Sequence, residues 1–148
     1  MIREALILLV CALFAAAGTH YLHPRAPAWY LTEEAMPEDE ISLDEIASKW
    51  QGDVLWIDAR PRDQYAAGHV PGALLLNEQE VNQLMQEHFE KLQDNQKPVI
   101  VYCSGEACQA SRKMKEYLKE RLPIEEIHVL HGGWKAWSAK HGAGVTLP

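Results

Sequence analysis

The distribution of apolar and polar positions divides this chain into regions of different kinds. Ala5 to Gly18 is an unbroken apolar or small stretch. From His23 to Glu40 no periodicity holds, and Pro24, Pro27 and Pro37 prevent a long helix. That region also carries Glu33, Glu34, Glu38, Asp39 and Glu40 with no basic neighbour in sequence, and it reads as a solvated linker. From Ile41 the pattern becomes globular. Ser42-Leu43-Asp44-Glu45 is a capping box, predicting a helix to about Trp50. Val54-Leu55-Trp56-Ile57 is a continuous apolar run, as for a strand buried on both faces, and it ends at Asp58-Ala59-Arg60. Pro71-Gly72 suits the two central positions of a type II turn.

Ala73 to Leu76 predicts a second short strand. Val81, Leu84, Met85, His88, Phe89 and Leu92 recur at helical spacing and predict a helix with a clean core face. Pro98 to Tyr102 is a β-branched run of the kind a buried strand needs, and it stops at Cys103. Beyond a small-residue loop, Ala110, Met114, Tyr117, Leu118 and Leu122 share one helical face. Ile127 to Leu130 is a further strand, and Gly132-Gly133-Trp134-Lys135-Ala136-Trp137 opens a last helix. Strands alternating with helices predict an α/β domain with a mostly parallel central sheet flanked by helices. The expected organisation is therefore 1–22 as a hydrophobic segment, 23–40 as a linker, 41–141 as the domain and 142–148 as a tail.

Extended through Leu22, the N-terminal stretch can just reach across a bilayer, which needs about 20 residues. Its length also fits a signal peptide, with Ala15-Ala16-Ala17 as the cleavage site, although Glu4 offsets Arg3 in the basic flank. Tyr21, Trp29 and Tyr30 supply the aromatic residues of a membrane interface. The expectation is a single-pass anchor holding the domain on the extracytoplasmic side, with a cleaved, secreted or periplasmic form as the alternative. A formal net charge of −7 gives no electrostatic case for nucleic acid as a partner. Three cysteines are too few for a disulfide scaffold, and the seven histidines lack metal-ligand spacing, so no metal or cofactor is expected.

Candidate chemistry centres on Cys103. A strand that ends in cysteine, then a tight loop, then a helix brings the thiol to a ring of backbone N–H groups at a helix N-terminus. Those groups and the helix dipole favour negative charge, which stabilises the reactive thiolate. Cys103 is accordingly the candidate nucleophile, and Asp58 lies at the same, carboxyl end of the sheet, where such folds place their sites. Cys108 has two readings: a small packed residue, or a resolving thiol that forms a disulfide with Cys103.

Taken together, Asp58-Ala59-Arg60 with Tyr65 and Gly68-His69-Val70-Pro71-Gly72-Ala73, then Val101-Tyr102-Cys103, then His131-Gly132-Gly133-Trp134-Lys135-Ala136-Trp137 resemble the rhodanese-like (sulfurtransferase) family. The match covers the globular part and leaves the N-terminal segment outside. The resemblance implies a three-layer rhodanese-like fold and a sulfur relay. A sulfane-sulfur donor makes a persulfide on Cys103, and a thiophilic acceptor or a protein thiol removes it. The loop Ser104, Gly105, Glu106, Ala107, Cys108, Gln109 would bind substrate, its amides holding the outer sulfur. Asp58 either accepts hydrogen bonds from that loop or caps its own strand, and Arg60 makes a structural ion pair, with direct contact to substrate as the alternative. Two departures narrow the reaction. Gln109 stands where related cysteine phosphatases place a phosphate-gripping arginine, which disfavours a phosphatase. Between Cys103 and Gln109 the loop has Glu106 and no Lys or Arg, so dianionic thiosulfate is an unfavourable donor unless Arg112 or Lys113 reaches back. A thiol–disulfide redox protein using Cys103 and Cys108, and a non-catalytic binding module, are the alternatives.

Overall fold

A computed structural model describes Ile7, Val10, residues 36–105 and residues 109–142. The chain divides after Ala35 into two compact units, and the second, from Met36, carries everything that follows. Of the 1–22 segment read as an anchor or signal, all but Ile7 and Val10 lies outside the described residues. Among the described residues no helix is long and apolar enough to cross a membrane, so the expected N-terminal hydrophobic helix gains no support.

In the second unit strands and helices alternate as β1 (Glu40–Ile41), α1 (Leu43–Trp50), β2 (Leu55–Asp58), α2 (Arg62–Ala67), β3 (Leu74–Leu75), α3 (Val81–Gln93), β4 (Val99–Tyr102), α4 (Gln109–Arg121), β5 (Ile127–Leu130) and α5 (Gly133–His141). The five strands form one parallel sheet in the order β1-β5-β4-β2-β3. β4 occupies the centre, and all four of its residues are buried. The predicted capping box is present: the Ser42 hydroxyl accepts the Glu45 N–H at 3.2 Å while the Glu45 carboxylate accepts the Ser42 N–H at 3.0 Å. The predicted turn closes with Ala73 N–H donating to the Val70 carbonyl at 2.9 Å, and Gly72 supplies the required positive φ of 77°.

Successive side chains on a strand point to opposite faces, and β4 shows how this builds the layers. Val99 and Val101 join Leu84 and Leu92 of α3 and Met114 and Leu118 of α4 in one core. Ile100 and Tyr102 join Ile46 of α1 and Trp137 of α5 in the other. Helices thus cover both faces of the sheet, giving the three layers.

Four local expectations are corrected. Glu40, placed in the linker, pairs as a strand with β5, because its backbone completes the sheet edge beside a residue, Ile41, that is buried. The acidic residues Asp39 and Glu40 are not solvated spacers; they pair with cations of α4, which is remote in sequence. α2 has no counterpart among the predicted elements, since it is short and buries none of its residues, leaving no apolar period to detect. Phe89 lies outside the core face of α3, 44% exposed, and Leu55 and Trp56 of β2 are only half-buried.

Two half-buried histidines give the unit a predictable response to acid. Burial holds His88 and His128 below the ordinary value of 6.5, His128 against the Trp50 ring at 5.8 Å. Both take a proton more readily in the unfolded chain, so the stability they contribute is present above pH about 6.5 and drains as pH falls through their depressed folded values. The His88→Gln, His128→Gln double variant should therefore show a smaller drop in urea midpoint between about pH 7.5 and about pH 5.5 than the parent. Equal drops in the two proteins would show that neither histidine is responsible.

Candidate active site

The register of β2 with β4 puts Asp58 opposite Tyr102 at the carboxyl end of the sheet. Both project onto the face covered by α1 and α5. There Asp58, with no solvent exposure, is surrounded by donors. Arg60 gives it the backbone N–H at 2.9 Å and a forked guanidinium, Nε to Oδ1 at 2.9 Å and Nη2 to Oδ2 at 2.6 Å. The Tyr102 hydroxyl donates to Oδ2 at 2.7 Å and in turn accepts the Val70 N–H at 3.0 Å. Arg60 Nη2 also donates to the Gly68 carbonyl at 2.6 Å. The guanidinium lies over the Trp134 ring at 4.4 Å and the Tyr102 ring at 5.5 Å, with cation–π contact added to the ion pair. Burial works against the charge of Arg60, but the Asp58 carboxylate outweighs it and raises the guanidinium's affinity for its proton. Burial and the neighbouring Asp58 charge keep the Tyr102 hydroxyl protonated, as a donor to a carboxylate must be.

Among the described residues the partners of Asp58 are local to its own strand end and the neighbouring strand. The carboxylate holds its own strand end, Arg60 and Tyr102, and accepts nothing from Ser104 or Gly105. Arg60 is the structural ion pair expected of it.

One residue beyond Tyr102 the alternation sends Cys103 to the opposite face, toward α4. Its sulfur lies 3.5 Å from the Ser111 hydroxyl in the first turn of α4 and 3.6 Å from the Gly105 carbonyl. The backbone of Cys103 is held from the other layer: its carbonyl accepts the Trp134 N–H at 2.6 Å at the start of α5. Gly133 makes that approach possible. Its φ is 52°, and a Cβ there would collide with the Cys103 carbonyl oxygen and come within 3.1 Å of the Gly105 nitrogen.

Cys103 is 3% exposed and disulfide-bonded. The sulfur is thus neither at an open mouth nor a thiolate in this oxidised form; reduction has to precede any nucleophilic role. Its partner lies outside the described residues, as both Cys11 and Cys108 do.

Of the predicted substrate loop, Ser104 is exposed and donates its hydroxyl to Gln64 Oε1 of α2 at 2.9 Å, Gly105 is half-buried, and Gln109 is exposed as the first residue of α4. Glu106, Ala107 and Cys108 lie outside the described residues, and with them most of the expected amide ring. The two cations nearest the loop in sequence, Arg112 and Lys113, turn elsewhere. Arg112 pairs with Glu40 and Asp39, and Lys113 with Glu78 at 3.0 Å. His69 is a hydrogen-bonded turn residue, with Nδ1 3.0 Å from the Tyr65 carbonyl and its ring stacked on Tyr65 at 3.8 Å.

Ser111 and Gln64 escaped the sequence reading, and Tyr102 and Gly133 entered it only as motif residues, without the contacts they make. Ser111 had a usable signal, a polar residue three before Met114 and seven before Leu118 on the buried face of a helix.

A family model for the rhodanese-like domain matches residues 42–140. The thiosulfate sulfurtransferase GlpE of Coxiella burnetii is 34% identical over 89 residues, 60% of this chain and 76% of that protein. A rhodanese-like domain protein from Staphylococcus aureus superposes with a TM-score of 0.50 at 25% identity, covering 67% of this chain and 90% of its own. The thiosulfate sulfurtransferase from Pseudomonas aeruginosa gives a TM-score of 0.55 at 21% identity over 70% of this chain and 18% of that one, a likeness of fold.

Two substitutions test the geometry. Gly133→Ala should destabilise the domain by about 2 kcal/mol or more in urea titration and slow alkylation of reduced Cys103 at the same time, since the collision falls on the cysteine's own carbonyl. Asp58→Ala leaves a buried guanidinium uncompensated and should cost about 3–5 kcal/mol, whereas Tyr102→Phe removes one hydroxyl and should cost about 1–2 kcal/mol. Equal costs would mean that the ion pair does not dominate.

Proposed function

The chain belongs to the rhodanese-like domain family, and we propose from this that it is a sulfurtransferase in which Cys103 carries sulfane sulfur as a persulfide. The observation that carries the reading is the seating of Cys103, its carbonyl bonded to Trp134 N–H and its sulfur beneath the Ser111 hydroxyl at the first turn of α4. A sulfur in that place receives a hydroxyl donor and the positive end of a helix, both of which favour an anion.

In the proposed reaction the Cys103 thiolate attacks the outer sulfur of a donor R–S–SH. A new S–S bond forms, the donor's S–S bond breaks, and R–S⁻ leaves. The persulfide on Cys103 then yields its outer sulfur to an acceptor thiolate, which restores the Cys103 thiolate. Splitting the transfer in this way gives two in-line displacements at sulfur. The proposal assigns the amides of the loop from Ser104 through Glu106 and Ala107 to Cys108 and Gln109 to the outer sulfur, with Asp58 and Arg60 as positioning residues beneath β4. The expected location, extracytoplasmic and tethered or exported by residues 1–22, is part of the proposal and rests on the composition of that segment.

A second reading is favoured by the disulfide at Cys103. Cys108, only five residues on, is its natural partner, because a short loop can bring two sulfurs within the narrow span a disulfide allows. In that reading the Cys108 thiolate attacks the inner sulfur of the Cys103 persulfide, HS⁻ leaves, and an external dithiol must reduce the disulfide that results.

Mass spectrometry of intact protein separates the two. Dithiothreitol-reduced protein treated with thiosulfate or an alkyl persulfide should gain the mass of one sulfur atom. Cys103→Ser should abolish the gain, and Cys108→Ser should preserve it. Loss of the added sulfur with formation of a Cys103–Cys108 disulfide, blocked by Cys108→Ser, supports the second reading. No added sulfur on reduced Cys103 with either donor overturns the sulfurtransferase assignment.

A further inference from the structure

The edge strand β1, separated from β4 by β5, carries a second group of charged side chains whose pairing bears on the donor. Glu40 at the edge strand β1 lies between two bases. One carboxylate oxygen bonds Arg112 Nη2, and the other lies 2.7 Å from His131 Nδ1. Asp39 completes the group, 3.6 Å from Arg112 Nε and 3.4 Å from Lys115 Nζ. The carboxylate of Glu40 is nearly buried, whereas Arg112 and His131 are exposed at 37% and 45%, so the ion pair faces solvent on its cationic side. The group adjoins the candidate site by sequence as well as by fold. Arg112 follows Ser111, whose hydroxyl touches the Cys103 sulfur, and His131 precedes the Gly132-Gly133-Trp134 turn that holds the Cys103 carbonyl.

The consequence is electrostatic. Thiosulfate brings two negative charges to the site and leaves as dianionic sulfite, so a cation near the outer sulfur lowers the barrier to its use. An alkyl persulfide carries at most one charge and expels a monoanionic thiolate. In this chain the cations in the first two turns of α4 are held by carboxylates: Arg112 by Glu40 and Asp39, Lys115 by Asp39 and Lys113 by Glu78. Resting on the sulfurtransferase reading above, we infer that Glu40 is a specificity-determining residue. It restrains and neutralises Arg112 at the rim of the site, so that the enzyme takes sulfane sulfur from a thiol persulfide in preference to thiosulfate.

The test compares second-order rates of sulfur loading on reduced full-length protein with thiosulfate and with glutathione persulfide, read by quenched intact-mass measurements at low salt. The parent should load faster from glutathione persulfide. Glu40→Gln removes the restraining charge while β1 stays paired through its backbone, and should raise the thiosulfate-to-persulfide rate ratio about tenfold. The gain should shrink as salt is raised, which a merely structural effect would not do. Adding Arg112→Gln to Glu40→Gln should return the ratio to near the parent value. A ratio unmoved by Glu40→Gln, or a gain that survives loss of Arg112 and so belongs to another cation such as the exposed Lys135, overturns the inference while leaving sulfur transfer intact. Failure of both donors to load the parent overturns the sulfurtransferase reading itself.

Discussion

A carboxylate with no solvent exposure is among the costliest groups a small domain can bury, and Asp58 is sustainable only because its surroundings are almost entirely donors. Those donors come from different parts of the chain. Arg60 follows from the same strand, Tyr102 ends the neighbouring strand, and the shared guanidinium reaches on to the Gly68 carbonyl and the Trp134 ring. One buried charge thereby ties β2, β4, the turn before β3 and the first turn of α5 to a common point. Replacing the pair by well-packed apolar residues need not cost stability. The network does specify where the end of β4 sits, which a greasy substitute would leave less defined.

Cys103 takes advantage of that definition through strand parity. Tyr102 faces α1 and α5 and is locked there by Asp58 and Val70. Its successor must then face α4, where Ser111 waits. The two halves of the cysteine are thus fixed by different layers: the carbonyl by the α5 backbone and the sulfur by the α4 side chain.

How much of this could be read from sequence follows from the range of the interactions. Elements with a strong internal period or a local cap were legible: the Ser42 capping box, the β4 run, the Met114–Leu118 face and the Pro71-Gly72 turn. α2 was not, because a helix of six residues without a buried side chain has no period to display. Glu40 was misplaced because its partners, Arg112 and His131, are remote in sequence and appear only when the sheet brings β1 beside β5. Cys103 and the Asp58–Arg60 pair stood out on residue type and position at strand ends. Gly133 was legible as a glycine but not as the contact that lets α5 reach the cysteine, since nothing local says which backbone it must approach.

The disulfide at Cys103 changes what the buried sulfur can mean. A 3% exposed cysteine would ordinarily be taken as an inert core residue, chosen for size. A residue packed only for its volume has no need of a cysteine partner, a hydroxyl in contact with its sulfur, or a glycine cleared away so that a helix can grip its carbonyl. In the oxidised form the sulfur is held in a covalent bond and is not a nucleophile. The same atom lies beside the Ser111 hydroxyl at the first turn of α4, and a hydroxyl donor and the positive end of a helix are the surroundings that favour a sulfur anion once the bond is reduced.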